Sequence, residues 1–88
     1  MRALLVTNQF ERDVKHIQAD IRDLGDDIIA RLLENPLDPT LNIKKLKGFD
    51  PPVWRVKINR YRIAYSFNET SLTLHRFRHR KDIYRNLG

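Results

Sequence analysis

Val53-Trp54-Arg55-Val56-Lys57-Ile58-Asn59-Arg60-Tyr61-Arg62-Ile63-Ala64-Tyr65 alternates apolar and polar residues on both sides of Asn59-Arg60. Alternation with a period of two marks a strand, and two such runs around a two-residue break mark a hairpin. The break fixes the register, so Trp54 faces Tyr65, Val56 faces Ile63 and Ile58 faces Tyr61. One face of this hairpin is therefore apolar. On the other, Lys57 stands opposite Arg62, with Arg55 beside it on the same strand. Like charges placed across a ladder destabilise it. Either an anion sits between these side chains, a phosphate being the foremost candidate, or they are long solvated groups on an exposed sheet.

Working outward, Asn68-Glu69-Thr70-Ser71 makes the next turn and Leu72-Thr73-Leu74 begins a third strand. In register, Leu72 opposes Phe67 and Leu74 opposes Tyr65. Strict continuation would turn Arg76 and Arg78 into the apolar face and Phe77 out of it, so a bulge is expected near His75. On the N-terminal side, Gly48 to Pro52 is turn-rich. Before it, Ile43-Lys44-Lys45-Leu46-Lys47 reads as a basic patch, and Leu37 to Asn42 as a connector. Phe10, Val14, Ile17, Ile21 and Leu24 recur at helical spacing, with a cap at Thr7 or Asn8, and form a core stripe. Gly25-Asp26-Asp27 is expected to break this helix. A second one carries Ile28, Ile29, Leu32 and Leu33 and ends at Asn35-Pro36. Ala3 to Val6 reads as a short buried strand. Ile83 and Leu87 lie four apart, which suits a short C-terminal helix or turn. The order β-α-α-β-β-β gives an α+β fold. A helical hairpin packs on one face of a mainly antiparallel four-stranded sheet, with Trp54, Val56, Ile58, Ile63 and Tyr65 facing both helices.

The 88 residues make one small domain, 1–88, and 41% hydrophobic composition supports a modest core. No cysteine is present, which removes disulfides, thiolate chemistry and cysteine-ligated zinc. No apolar run approaches the ~20 residues of a membrane span, and the N-terminus is too short on apolar residues for a signal peptide. The expected compartment is the cytoplasm. A formal charge of +6 points to a polyanionic partner, either nucleic acid or an acidic protein competing for the same surface. His16 lies on the polar side of the first helix and reads as a surface residue. No cluster suggests a metal or a cofactor.

Four segments carry a family resemblance: Lys45-Leu46-Lys47-Gly48, Trp54-Arg55-Val56-Lys57-Ile58, Tyr61-Arg62-Ile63-Ala64-Tyr65 and His79-Arg80-Lys81-Asp82-Ile83-Tyr84. In this order and spacing the chain resembles the RelE/ParE superfamily of toxin–antitoxin toxins, and the RelE branch more than the ParE branch. The resemblance implies a metal-independent endoribonuclease, an mRNA interferase that cuts messenger RNA in the ribosomal A site and so inhibits translation. A ribose 2′-hydroxyl attacks the adjacent phosphate, leaving a 2′,3′-cyclic phosphate and a 5′-hydroxyl. The matching positions are Arg55, Lys57 and Arg62 on the sheet, Arg78 or Arg80 for the arginine at the leaving oxygen, and Tyr84 for the tyrosine that organises the base. Arg55 stands where RelE has lysine, and a permanently charged guanidinium suits phosphate binding rather than a base role. Lys57 is then the candidate base and Arg62 the phosphate holder. His79 is a further catalytic candidate because imidazole titrates near working pH. Lys44, Lys45 and Lys47 would spread docking over the RNA and ribosome. The implied partner is an antitoxin with an acidic or amphipathic segment that folds on binding. It would cover Arg55, Lys57, Arg62 or the tail. The alternatives are a ParE-like gyrase inhibitor without nuclease activity and a non-catalytic RNA-binding module.

Overall fold

The structure, a computed structural model, describes residues 2–83. Seven elements follow in order: β1 (Ala3–Val6), α1 (Asn8–Val14), α2 (Ala19–Glu34), β2 (Ile43–Lys45), β3 (Trp54–Ile58), β4 (Tyr61–Phe67) and β5 (Ser71–His79). The sheet has five strands in the order β1-β5-β4-β3-β2, with β1 parallel to β5 and every other pair antiparallel. The helices cover one face. The expected α+β architecture holds, with one strand more than the alternation revealed.

The hairpin has the register that its turn dictates. Lys57 pairs with Arg62, Val56 with Ile63 and Trp54 with Tyr65. Asn59 takes the left-handed region at φ 53, a conformation asparagine tolerates in a tight turn. β5 also pairs as expected, and its register slips at Ala64/Tyr65, where His75 drops out of the pairing. That bulge returns Phe77 to the buried face opposite Ile63 and leaves Arg76 opposite Ala64. Thr7 ties the bulge to the helical layer. Its Oγ1 accepts from the Phe10 N–H at 3.1 Å, capping α1, and donates to the His75 carbonyl at 2.9 Å.

Several expectations fail, each for a physical reason. The first helix ends at Val14, and α2 restarts at Ala19 and runs through Gly25. Gly25 breaks nothing: a Cβ there would lie 2.8 Å from Phe77 Cε2, so the missing side chain lets α2 settle onto β5. The restart shifts the helical phase. The inward row becomes Ile21, Gly25, Ile28 and Leu32, and Leu24, expected in the core, is 44% exposed. β1 is not buried: it lies at the sheet edge, where Leu4, Leu5 and Val6 are all exposed. Ile43-Lys44-Lys45, read as a basic patch, pairs with Val56, Arg55 and Trp54 as the far edge strand. Three residues with one apolar member give too little alternation to announce a strand. Trp54 is only partly buried, its ring centroid 6.1 Å from that of Phe67. Residues 80–83 form a turn with Ile83 buried; the rest of the expected C-terminal helix lies outside the described residues.

The core joins Phe10, Ile17, Ile21 and Leu32 of the helical layer to Val56, Ile58, Ile63, Tyr65, Leu72, Leu74 and Phe77 of the sheet. Asp13 closes the stretch of β5 that β1 is too short to cover. Its carboxylate accepts from the Phe77 N–H at 3.0 Å and ion-pairs with Arg76 at 2.9 Å. An otherwise open sheet edge is thereby blocked.

Candidate nucleic-acid interface

The sheet face away from the helices is organised by the same register. Across β3, β4 and β5, Lys57 pairs with Arg62 and Arg62 with Arg78, so three cations stand side by side on adjacent strands. At a strand spacing of about 4.8 Å the row spans roughly 10 Å. A second row runs Lys44, Arg55, Ala64 and Arg76. Neither row contains a carboxylate.

The cations differ in how they are held. Arg76 is engaged by Asp13 and serves the edge. Arg55 donates from one terminal nitrogen to the Asn42 carbonyl at 3.1 Å and the Asn42 side chain at 3.3 Å, while its buried Nε has no partner. Arg62 donates to the carbonyls of Asn59 at 3.1 Å and Tyr61 at 2.8 Å, which fixes the guanidinium against the turn. Lys57 is exposed one residue before the end of β3, close to the turn. A positioned guanidinium beside an exposed amine can hold a phosphate and take a proton next to it.

Of the candidates read from sequence, Arg55, Lys57, Arg62, Arg78 and Lys44 share this face. Lys45 pairs with Trp54 and belongs to the opposite side; Lys47 is exposed in the following loop. Of the two competing arginines, Arg78 stands in the three-cation row, whereas Arg80 lies in the turn beyond β5, its N–H bonded to the Arg60 carbonyl at 2.8 Å. His79 pairs with Tyr61 and so points to the helical side, its ring 5.5 Å from the Tyr61 ring. Tyr84 lies outside the described residues. Sequence reasoning missed the role of Asp13, and nothing local to Asp13 announces it, because its partners lie over sixty residues away. Among the described residues no group of three or more His, Asp or Glu could hold a metal ion, and no helix is long and apolar enough to cross a membrane.

Elsewhere on the sheet, burial lowers the His75 pKa below its ordinary 6.5, with Nε2 at 2.8 Å from Ser66 Oγ. Burial also raises that of Tyr65, whose hydroxyl donates to the Pro36 carbonyl at 2.7 Å.

Fold and surface together define a small α+β protein whose sheet face away from the helices carries cations in register, with no carboxylate in either row. Residues 4–84 match the family described as ParE toxin of type II toxin-antitoxin system, parDE. The chain is 35% identical to Toxin RelE3 of Methanocaldococcus jannaschii over 83 residues, covering 92% of this chain and 93% of that protein. The RelB-RelE antitoxin-toxin complex from Methanococcus jannaschii contains a chain of the same fold, with a TM-score of 0.79 and 30% identity over 96% of this chain and 99% of that one. The archaeal RelE-RelB complex from Pyrococcus horikoshii is similar in fold alone, with a TM-score of 0.77 and 16% identity over 90% and 94% of the two chains. The chain thus belongs to the RelE/ParE family and is a toxin of a toxin–antitoxin system.

Proposed function

We propose that this toxin is a metal-independent endoribonuclease that cuts messenger RNA on the ribosome. The observation that carries the reading is the row Lys57–Arg62–Arg78 across three adjacent strands. Lys57 is the group that takes the proton from a ribose 2′-hydroxyl. The 2′-oxygen bonds to the adjacent phosphorus, and the bond to the 5′-oxygen of the next nucleotide breaks. Arg62, with Arg55 in the neighbouring row, stabilises the charge gathering on the phosphate oxygens. Arg78 stabilises the leaving 5′-oxygen, which takes a proton from solvent water and departs as a 5′-hydroxyl, and a 2′,3′-cyclic phosphate remains. Tyr84 is assigned to the substrate base, and Lys44, Lys45, Lys47 and Arg80 to docking.

An antitoxin partner fits the same surface. Relatives of this fold were crystallised as antitoxin–toxin complexes, and an acidic segment folding across Arg55, Lys57 and Arg62 would both neutralise and cover the row. A gyrase-inhibiting reading is favoured by one observation, the match to the family described as ParE toxin. Brief induction of the chain, followed by mapping of transcript ends, separates the two. Cut transcripts ending in cyclic phosphate support the ribonuclease. Intact transcripts with broken DNA overturn it in favour of gyrase.

A further inference from the structure

A cavity of about 400 Å³ opens at the β5 edge, between the end of α1 and the ends of β4 and β5. It is lined by Arg12, His16, Tyr61, Arg78, His79 and Asp82 among others, and it falls within the size range of small-ligand sites. Arg78 belongs both to this cavity and to the cation row, so the two are continuous around the strand edge. We infer that the cavity holds one unpaired RNA base, of which guanine has the matching chemistry, on the strand that lies across Lys57, Arg62 and Arg78. The inference rests on the ribonuclease reading and adds to it a specificity subsite.

Three features favour a base over a bare anion. The first is an aromatic wall. The Tyr61 ring is held edge-on by Phe77, with centroids 6.2 Å apart at 83°, and by His79, at 5.5 Å and 77°. Single-stranded RNA is commonly read by stacking on such rings while the base edges are hydrogen-bonded. The second is the state of His79. Its Nδ1 accepts from the Lys81 N–H at 3.2 Å, which leaves the proton on Nε2 as a donor. The third is the mixture of signs. Arg12 and His16 add exposed donors to one rim, whereas Asp82 brings a carboxylate whose backbone is fixed by its N–H bond to the His79 carbonyl at 2.8 Å. A carboxylate repels phosphate but accepts from the adjacent N1–H and N2–H of guanine, and the cationic donors suit its O6 and N7. Asp13 is already engaged by Arg76 and Phe77, so the acceptor role falls to Asp82.

The test uses the full chain, without ribosomes, with guanosine monophosphate, cytidine monophosphate and inorganic phosphate as probes. Ring resonances of His16 and His79 are followed through each titration in the millimolar range. The expected result is saturable shifts of both rings with guanosine monophosphate. Cytidine monophosphate should bind at least fivefold more weakly, and phosphate should leave the rings unmoved. Arg12→Ala and Asp82→Asn should each weaken the guanosine response severalfold. Equal shifts with phosphate, no shift at either ring, or an unchanged response in both variants overturns the inference. Binding of a mononucleotide needs no cleavage, so a chain that holds the base yet cuts nothing keeps this inference and loses the ribonuclease. A chain that cuts while both rings stay silent does the reverse.

Discussion

Replacing Gly25 by alanine sets two known effects against each other. In a helix interior alanine is favoured over glycine by about 1 kcal/mol, so on propensity alone the variant should be more stable. The added Cβ, however, would lie 2.8 Å from Phe77 Cε2 and 3.2 Å from Cζ. Carbon contacts settle at about 3.5–4.0 Å, so the ring or the helix must move by roughly 0.7 Å. The ring has little room: Phe77 is 2% exposed and packs against Phe10 at 5.8 Å and Tyr61 at 6.2 Å between centroids. Overpacking a filled core costs about 1–3 kcal/mol, which exceeds the propensity gain over most of its range. A net loss centred at about 1 kcal/mol and reaching about 2 kcal/mol follows, or a fall in Tm of roughly 4–8 °C at that centre for a domain of this size. Thermal and urea melts of Gly25→Ala, Phe77→Leu and the double variant measure it. The double variant should be less destabilised than the sum of the singles, since the shorter side chain vacates the contested space. A Gly25→Ala chain as stable as the parent, or more so, would refute the argument that close approach selects glycine here.

Three further outcomes are expected. Asp13→Ala removes the partner of a mostly buried arginine and of the Phe77 N–H, and should cost about 3 kcal/mol in urea melts; Asp13→Asn should cost less. Tyr65→Phe strands the Pro36 carbonyl in a buried site and should cost about 1–2 kcal/mol. His75 is held below its ordinary 6.5, so the unfolded chain takes up a proton that the folded chain resists. Its contribution is then complete above about pH 6.5 and declines as pH falls below that, so the urea midpoint should drop between pH 7 and 5.5. His75→Gln should flatten that slope, and an unchanged slope would place the titration elsewhere.

The hairpin and the third strand were legible because alternation and a two-residue turn constrain register on their own, and the bulge at His75 followed from refusing to bury two arginines. The helical boundaries were not. Glycine after an apolar run reads as a terminator, and only the ring of Phe77, more than fifty residues away, shows it to be a contact surface. β1 and β2 misled in opposite directions. An apolar tetrapeptide became an exposed edge, and a basic tripeptide became a paired strand, because edge positions are set by neighbours rather than by composition. Lys57 and Arg62 of the cation row could be named from the hairpin, whereas Arg78 stood level with Arg80 until the register of β5 separated them. The turning of His79 to the helical side depended on the bulge being followed two residues further.

Single-turnover cleavage of ribosome-bound message tests the central claim most directly. Removing a positioned acid–base group usually costs about 10²–10⁴-fold in rate, whereas a lone docking cation shared among many weakens binding modestly and in a salt-dependent way. Lys57→Ala and Arg62→Ala should therefore lose at least about a hundredfold in the cleavage step while still binding ribosomes. Lys44→Ala should retain most of the rate, with a modest loss of ribosome affinity that shrinks as salt is raised. Cleavage at the parental rate by both Lys57→Ala and Arg62→Ala would contradict the account.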